Sequence, residues 1–323
     1  TELRAEKQGL RMGFAGSSTI LDKYFRENEK VNGTERSAVY AEDEEVYERF
    51  REKNVFLTKD YEELLDQCEA VYIVSPPAKH YAMIRRAIEK KKHVLCESPI
   101  TVCREQTAEL TELAARNGVV LMEAIKTAYA TAYDRLLLLV KSGKIGRVVS
   151  VDATCTSIRS YRSEPTENWN SICAWGPTAM LPIFQILGTG FDEKRIRTLL
   201  TDAHHNDAFT RIDFTYPGAV ASMKVGQGVK SEGDLVISGT EGYIYVPAPW
   251  WKTDYFEVRY ENAENNQRYF YQLEGEGISF TILSFLRAIE SGQSRSYIAE
   301  EITAAISGVI EDFYAEKDTI VLK

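Results

Sequence analysis

A turn containing two glycines and two serines lies near the start of the chain, Gly13-Phe14-Ala15-Gly16-Ser17-Ser18-Thr19-Ile20. It joins a short apolar segment to a helix-like one and opens a series of alternating strands and helices. A dinucleotide site needs a tight turn, close approach of the backbone to the pyrophosphate, and a helix N-terminus directed at it. Ser18 stands where a third glycine is usual, so the motif is incomplete. The residues predicted to bind a dinucleotide here are Gly13, Phe14, Ala15, Gly16, Ser17, Ser18 and Ile20.

Acidic residues occupy positions 42 to 45, directly after the second predicted strand. An acidic side chain at this point can accept hydrogen bonds from the adenine ribose hydroxyls, and it repels a 2′-phosphate. The alternative is an acidic first helical turn, which the helix dipole favours. No Arg or Lys stands within the run. The sequence therefore predicts NAD rather than NADP as cofactor, with Glu42 as the ribose contact.

The composition is that of a globular protein of 323 residues, with 44% hydrophobic and 27% charged residues and a net charge of −9. The acidic balance argues against a nucleic-acid or anionic-membrane partner. Five scattered cysteines and four histidines have no metal-ligand spacing, so we predict no metal and free thiols in a reducing cytoplasm. The longest aliphatic run, Leu136 to Val140, is far shorter than the ~20 residues of a membrane span, and the N-terminal segment has no apolar signal-peptide core.

Strand-like and helix-like segments alternate over the first 125 residues, which predicts βαβ units and a doubly wound parallel sheet. The strand candidates are 12–15, 38–41, 55–57, 70–74, 93–97 and 119–124. Longer β-type segments then dominate, followed by two helical segments and a short last strand. The β-type segments are 148–157, 210–216, 219–225, 235–238, 243–246 and 255–260. The helical segments are about 280–290 and 299–314, and the last strand is 319–322. This second half predicts a mostly antiparallel sheet with helices on one face. The two patterns together predict a dinucleotide-binding domain over 1–124 and an α+β domain over 125–323.

Several segments, in the right order along the chain, resemble the Gfo/Idh/MocA oxidoreductases, a family that includes glucose–fructose oxidoreductase, inositol dehydrogenases and dihydrodiol dehydrogenases. The resembling segments are 60–65, 70–80, 93–100, 121–124, 143–146, 239–242 and 275–277. The resemblance covers essentially the whole chain. It implies an N-terminal Rossmann domain followed by a C-terminal α/β domain with a large open sheet, in agreement with the pattern of elements.

The resemblance also implies roles for residues after the fourth and fifth strands. Ser75, Pro76 and Pro77 are expected along the cofactor toward the nicotinamide. His80 either contacts the cofactor or forms a structural hydrogen bond. Glu97 matches the first residue of the family's Glu-Lys-Pro motif, near the nicotinamide ribose, and Ser98 after it is also expected to contact the cofactor.

The sequence departs from the family at the positions expected to handle the proton. The motif lysine is Ser98, and the usual His or Tyr of the second signature is Thr178 in Ala174-Trp175-Gly176-Pro177-Thr178. Neither hydroxyl titrates near neutral pH, so neither can replace a general base unaided. Lys126 follows the strand that borders the nicotinamide pocket in the family, and we predict it as the acid–base group, with a solvent-facing lysine as the alternative.

Further candidates lie in the second half of the chain. Tyr129 and Tyr161 are additional phenolic candidates for proton transfer. Trp169 and Trp175, with the polar stretch 159–164, would suit a sugar-like ligand unless they are core residues. Trp250 and Trp251 are predicted to serve packing or a subunit interface.

Three functions are consistent with these observations. The first is an NAD-dependent oxidoreductase acting on a sugar, polyol or related hydroxyl compound. The second is a cofactor-binding sensor or scaffold without turnover, and the third is NAD-assisted elimination or glycoside cleavage without net redox change. A homodimer or homotetramer is expected because a sheet with helices on one face leaves the other face to be covered.

Overall fold

The computed structural model describes residues 8–158, 170–203, 205–292 and 298–323. The chain forms two compact units. The first comprises Thr1–Ile100, Ala108–Ala124 and Ile278–Ser296, and the second comprises Thr101–Thr107, Ile125–Gly277 and Tyr297–Lys323. The predicted division at 124/125 is also a junction between these units, but the first unit includes a later segment, and the domain limits stay a prediction.

The helices and strands alternate in the first part of the chain. The helices are α1 (Thr19–Glu27), α2 (Glu44–Phe50), α3 (Tyr61–Asp66), α4 (Pro77–Glu89), α5 (Arg104–Asn117), α6 (Thr131–Lys141), α7 (Ser171–Leu187), α8 (Ile278–Ser291) and α9 (Glu300–Tyr314). Of these described helices, none is long and apolar enough to cross a bilayer.

The first unit contains a six-stranded parallel sheet. Its strands are β1 (Leu10–Gly16), β2 (Thr34–Ala41), β3 (Phe56–Thr58), β4 (Ala70–Val74), β5 (His93–Glu97) and β6 (Leu121–Ala124), in the order β3-β2-β1-β4-β5-β6. All five neighbouring pairs are parallel. This is the strand order of a dinucleotide-binding doubly wound fold.

Helices cover this sheet, and strand β4 is buried at all five residues. Val71 and Ile73 belong to a core that also contains Leu64 of α3, Ile84 of α4 and Leu110 of α5. The continuous apolar composition of β4 is typical of a parallel strand that is buried on both faces. Helix α8, far along the chain, packs on α1, which explains why the first unit is not one contiguous segment.

The second unit contains a nine-stranded sheet. Its strands are β7 (Val148–Thr156), β8 (Glu193–Leu200), β9 (Asp207–Tyr216), β10 (Ala219–Gly226), β11 (Leu235–Gly239), β12 (Tyr243–Val246), β13 (Tyr255–Arg259), β14 (Gln267–Phe270) and β15 (Thr319–Val321), in the order β14-β13-β12-β11-β7-β10-β9-β8-β15. The pairs β7–β10 and β8–β15 are parallel and the remaining described pairs are antiparallel. The predicted fold class is therefore confirmed.

Helix α7 packs against β7, β9 and β10 and is mostly buried. The sequence did not predict it as a helix, because it contains Pro177 and Pro182 and is apolar on nearly all sides, which removes the helical periodicity. Strands β8 and β14 were also missed. In β8, buried and exposed residues alternate, but Glu, Lys and Arg hide the pattern.

Candidate active site

The carboxyl ends of β1 and β4 mark the point where the strand order of the first unit reverses. In open α/β sheets, ligands bind in the crevice at such a switch point. Gly16 ends β1, and Ser75 follows β4 directly. Helix α1 begins at Thr19, so the positive end of its dipole lies at the same edge of the sheet.

Close packing explains both glycines of the turn. Gly16 has a φ of 150°, and a Cβ there would lie 1.7 Å from the carbonyl oxygen of Val74. A Cβ on Gly13 would lie 2.9 Å from Sγ of Cys68. Ser17 donates its backbone N–H to the Val74 carbonyl at 3.1 Å, so the turn is fastened to β4.

Ser18, which stands in place of the third glycine, is the N-cap of α1, and its hydroxyl accepts a hydrogen bond from the Ile20 N–H at 3.2 Å. Serine is among the preferred N-cap residues. Phe14 and Ala15 lie within β1 with fully buried side chains. Of the predicted turn residues, Ser17 and Ile20 are half-buried at the end of the strand and the start of the helix.

His80 connects the loops that follow β4 and β5. Its Nε2 accepts a hydrogen bond from the Ser75 N–H at 3.2 Å, and its Nδ1 donates to the carbonyl oxygen of Pro99 at 2.8 Å. Burial lowers the pKa of the imidazole to about 4, so the ring is neutral at physiological pH. Because both nitrogens are bound to backbone groups, the structure favours the structural alternative for His80.

The Ser75 hydroxyl is buried and has no hydrogen-bond partner among the described residues. A buried hydroxyl is normally paired, so an unpaired one at a switch point is consistent with a partner supplied by a ligand. Pro76 and Pro77 open α4 beside it. These groups, with the close-packed Gly16 turn, fit a bound dinucleotide.

Two carboxyl groups lie at the ends of the neighbouring strands β5 and β6. Glu97 accepts a hydrogen bond from the Tyr72 hydroxyl at 2.8 Å, and Ser98 follows it, half-buried. Glu123 is opposite Cys96 in the sheet and fully buried. Burial, opposed by a hydrogen bond from Ile100 and reinforced by the charge of Glu97, raises the pKa of Glu123 to about 8.

Glu42 follows β2 directly and forms an ion pair with Lys79 of α4. It also accepts a hydrogen bond from the Tyr40 hydroxyl at 2.9 Å. Asp43 has a different role, because it caps α2 by accepting from the Val46 N–H at 2.8 Å. The helix-start alternative therefore applies to Asp43, and the ribose contact at Glu42 stays a prediction.

In the second unit, Lys126 begins a 3₁₀ turn, and its ammonium lies 3.0 Å from Oε2 of Glu276. Trp175 and Thr178 lie one turn apart on the accessible stripe of α7. The Trp175 indole is 4.8 Å from that of Trp251, measured between ring centroids. Among the described residues, no group of three or more His, Cys, Asp or Glu side chains could hold a metal ion.

The remaining predicted residues are either buried or outside the described part of the chain. Tyr161 and Trp169, with the polar stretch 159–164, lie outside the described residues. Tyr129 is buried, and Trp250 is fully buried with its indole N–H donating to the Thr154 carbonyl at 2.9 Å. Trp250 is thus a packing residue, the first of the two roles predicted for it.

Sequence reasoning missed several groups that contact or neighbour the predicted ones. They are Tyr72, Glu123, Trp251 as a partner of Trp175, Lys252 and Glu276. Glu276 lies within Gly275-Glu276-Gly277, one of the segments that resemble the family, so that segment carried a signal. The contacts themselves join positions far apart in the chain.

Comparison with known proteins agrees with this geometry. An oxidoreductase family with an NAD-binding Rossmann fold, GFO_IDH_MocA, matches residues 10–125. A scyllo-inositol 2-dehydrogenase (NADP(+)) from Bacillus subtilis is 32% identical over 267 residues, covering 79% of this chain and 80% of its own length. A D-xylose 1-dehydrogenase (NADP(+)) from Hypocrea jecorina is 34% identical over 61% of this chain and 57% of its own length.

The fold has close counterparts among solved structures. A 3-ketoreductase from Actinomadura kijaniata, in complex with NADP and TDP-benzene, superimposes with a TM-score of 0.85 at 19% identity, over 98% of this chain and 100% of that one. The predicted family and its oxidoreductase class are confirmed by these similarities. From the strand order, the turn after β1 and the relatives together, the chain belongs to the Gfo/Idh/MocA family of NAD(P)-binding oxidoreductases.

Proposed function

We propose that this chain is an NAD-dependent oxidoreductase that moves a hydride between C4 of the nicotinamide and a hydroxyl-bearing carbon of a sugar, a polyol or a related compound. The observation that carries the proposal is the buried Ser75 hydroxyl at the β1/β4 switch point, which has no hydrogen-bond partner in the described part of the chain. Relatives named as inositol and xylose dehydrogenases support the substrate class. When bound, the nicotinamide supplies the hydride acceptor or donor.

The proposed cofactor contacts follow the edge of the first sheet. The turn at Gly16 and the start of α1 would hold the pyrophosphate, and Glu42 would accept from the adenine ribose hydroxyls. Ser75 and Glu97 would lie toward the nicotinamide ribose. His80 would act indirectly, because it fixes the two loops that present Ser75 and Ser98.

The preference for NAD over NADP rests on Glu42, whose carboxylate would repel a 2′-phosphate. The named relatives use NADP, and Lys79, now paired with Glu42, is a cation that could turn to such a phosphate. Calorimetric titration with NADH and NADPH decides between them. Glu42→Gln should reduce the difference between the affinities for NADH and NADPH. Glu44→Gln, at a residue that pairs with Lys59, should leave this difference unchanged. Equal or tighter NADPH binding by the unaltered protein would refute the preference.

For the proton we propose Lys126, assisted by Thr178. In reduction, the Lys126 ammonium would give its proton to the carbonyl oxygen of the substrate, and the carbonyl carbon would receive the hydride that a bound nicotinamide would supply. Oxidation reverses both transfers. Glu276 holds the ammonium in place, and Thr178 would donate a hydrogen bond to the same oxygen.

The experiment is transfer of deuterium from (4-²H)NADH to a panel of keto sugars and keto polyols. Lys126→Met should lower the rate by about 10²–10⁴, the usual contribution of general acid–base catalysis, with little change in NADH affinity. Lys141→Met, at an exposed lysine of α6, is the matched control. A rate within twofold of the unaltered enzyme for Lys126→Met would remove this assignment.

A second candidate is a cofactor-binding protein without turnover. It is favoured by Ser98 and Thr178, which replace the lysine and the His or Tyr expected from the family motifs. Saturable NADH binding, together with no deuterium transfer to any member of the panel, would support this candidate over the first.

We further propose a homodimer or homotetramer in a reducing cytoplasm. The five free cysteines support a reducing compartment, since four of these thiols are buried and none of the five forms a disulfide. The side of the second sheet opposite α7 supports self-association, because it presents half-exposed and exposed side chains, Val220 and Tyr243 among them.

A further inference from the structure

Two lysines in the second unit converge on one carboxylate. The ammonium of Lys126 lies 3.0 Å from Oε2 of Glu276, and that of Lys252 lies 3.7 Å from Oε1. Glu276 stands between Gly275 and Gly277, which have φ values of 57° and 80°. The positive φ values make a tight turn that carries the carboxylate between the two cations.

Among the described residues, this arrangement brings together two ammonium groups and one carboxylate. A single carboxylate compensates one ammonium, and Lys252 is the more loosely held of the two. Its side chain is 44% exposed, compared with 26% for Lys126. An ammonium that is partly compensated and accessible is suited to bind a further anionic group.

Two indole rings, those of Trp175 and Trp251, lie against one another in the same unit as the lysines. Trp251 immediately precedes Lys252, and its carbonyl accepts a hydrogen bond from the Thr127 hydroxyl at 2.7 Å, which ties it to the Lys126 turn. The Trp175 indole N–H donates to the Ser157 hydroxyl at 3.3 Å. Both rings are half-buried and inclined at 57° to one another.

Trp251 is held from one side by the backbone of the protein. A Cβ on Gly233 would lie 2.8 Å from Cζ3 of the Trp251 ring, so the ring rests directly on this glycine. The position of the Trp251 indole is therefore fixed, and the accessible portions of the two rings form an apolar platform, with Lys252 directly after Trp251 in the chain. A sugar ring has an apolar C–H face that can pack on such a platform.

We propose that the substrate of this protein is an anionic sugar or polyol derivative, whose carboxylate or phosphate binds at Lys252 beside the Lys126–Glu276 pair and whose ring packs on Trp175 and Trp251. This inference rests on the proposed function and narrows its substrate class. Carboxylate and phosphate share the chemistry that the site recognises, namely a negatively charged oxygen group that accepts from ammonium N–H donors.

The test is calorimetry on the protein saturated with NADH, with glucose, glucuronate and glucose 6-phosphate as probes. At least one anionic probe should bind about tenfold more tightly than glucose, as expected for a hydrogen bond to a charged group. Lys252→Met should remove this advantage without changing the affinity for NADH. Lys141→Met, which makes the same charge change at an exposed position of α6, should leave it intact.

Glu276→Gln gives the opposite change of charge. It removes the compensating carboxylate and should strengthen binding of the anionic probe, which a purely structural role of Lys252 would not explain. The relative affinities for glucuronate and glucose 6-phosphate show whether the site prefers a carboxylate or a phosphate.

Two results would overturn the inference. One is equal affinity for glucose and both anionic probes, and the other is no binding of either anionic probe at millimolar concentration. Both leave the proposed function intact, because NADH binding is measured first. Failure of NADH to bind would instead contradict the proposed function.

Discussion

His80 is a residue whose type drew attention for chemistry but whose contacts are structural. Its imidazole joins the Ser75 N–H to the Pro99 carbonyl, and thereby holds together the two loops that present the candidate cofactor contacts. The sequence left two alternatives open for it, because neither partner is recognisable before the loops are placed in the fold. The same holds for Lys126, whose partner Glu276 is 150 positions away.

Two substitutions test the two hydrogen bonds of the His80 imidazole one at a time. His80→Asn retains a donor near the Nδ1 position, and His80→Gln retains an acceptor near Nε2, so each loses one bond. An unsatisfied buried backbone group costs about 1–3 kcal/mol, and we expect both variants to have a lower Tm and a higher Kd for NADH. His205→Asn, at a half-exposed histidine of the second unit, is the control. Unchanged Tm values for both His80 variants would contradict these bonds.

The neutral His80 also predicts a pH dependence. Its pKa is about 4 in the folded protein, compared with the ordinary histidine value of 6.5, so the unfolded chain takes up a proton first as the pH falls. The stability contributed by His80 is therefore full above pH 6.5 and is lost between pH 6.5 and 4. Thermal unfolding over this range should show a smaller loss in both His80 variants.

Glu123 should give a pH dependence of the opposite sign. Burial raises its pKa to about 8 from the ordinary value of 4.5, so its stabilising contribution is full below pH 4.5 and is lost as the pH rises toward 8. Glu123→Gln, which resembles the protonated acid, should raise Tm at pH 8 and flatten the profile. Glu112→Gln, on the exposed face of α5, should leave the profile unchanged. A lower Tm for Glu123→Gln at pH 8 would contradict a protonated Glu123.

Among the elements, the parallel strands were the most predictable. The limits of β4 and β5 agree with those expected from their apolar runs, because burial on both faces leaves a continuous signal. Helix α7 was not predicted, since its prolines and its uniform apolarity conceal the helical period. The turn between β1 and α1 was predicted as a motif, but the contact with Val74 that requires Gly16 involves a distant strand.

A pair of glycine substitutions tests this contact. Gly16→Ala places a Cβ against the Val74 carbonyl in a backbone region that favours glycine, so we expect a loss of several kcal/mol in the free energy of unfolding. Gly118→Ala, at the end of α5, also has a positive φ but meets nothing within 4 Å, and should cost only about 1 kcal/mol. Denaturant unfolding measures both, and equal losses would contradict the proposed strain at Gly16.

For the whole molecule, two units with different sheets were expected from the change in periodicity near residue 125. The sequence did not predict that α8 belongs to the first unit. The apolar pattern of α8 predicts an amphipathic helix, but it does not reveal that this helix packs on α1. The second sheet presents exposed apolar residues on the side opposite α7, Val220 being 51% exposed.

This open face predicts self-association. Val220→Asp, on β10, should shift the protein toward monomer in light scattering at micromolar concentration. Leu138→Asp, which changes a similarly exposed residue on α6, should leave the oligomer unchanged. A monomeric unaltered protein would refute the proposal.

NADH titration of Ser75→Ala tests most directly whether the crevice at the β1/β4 switch point binds a nicotinamide dinucleotide through Ser75. The hydroxyl is buried and unpaired among the described residues, so its removal should leave Tm of the cofactor-free protein equal or higher. NADH affinity should fall about two- to tenfold, the value of one hydrogen bond. Ser307→Ala removes a buried hydroxyl that is already bound to Thr107, and should lower Tm without changing NADH affinity. Saturable NADH binding by the unaltered protein and weaker binding by Ser75→Ala are predicted; no saturable binding, or equal affinity for both proteins, would contradict the account.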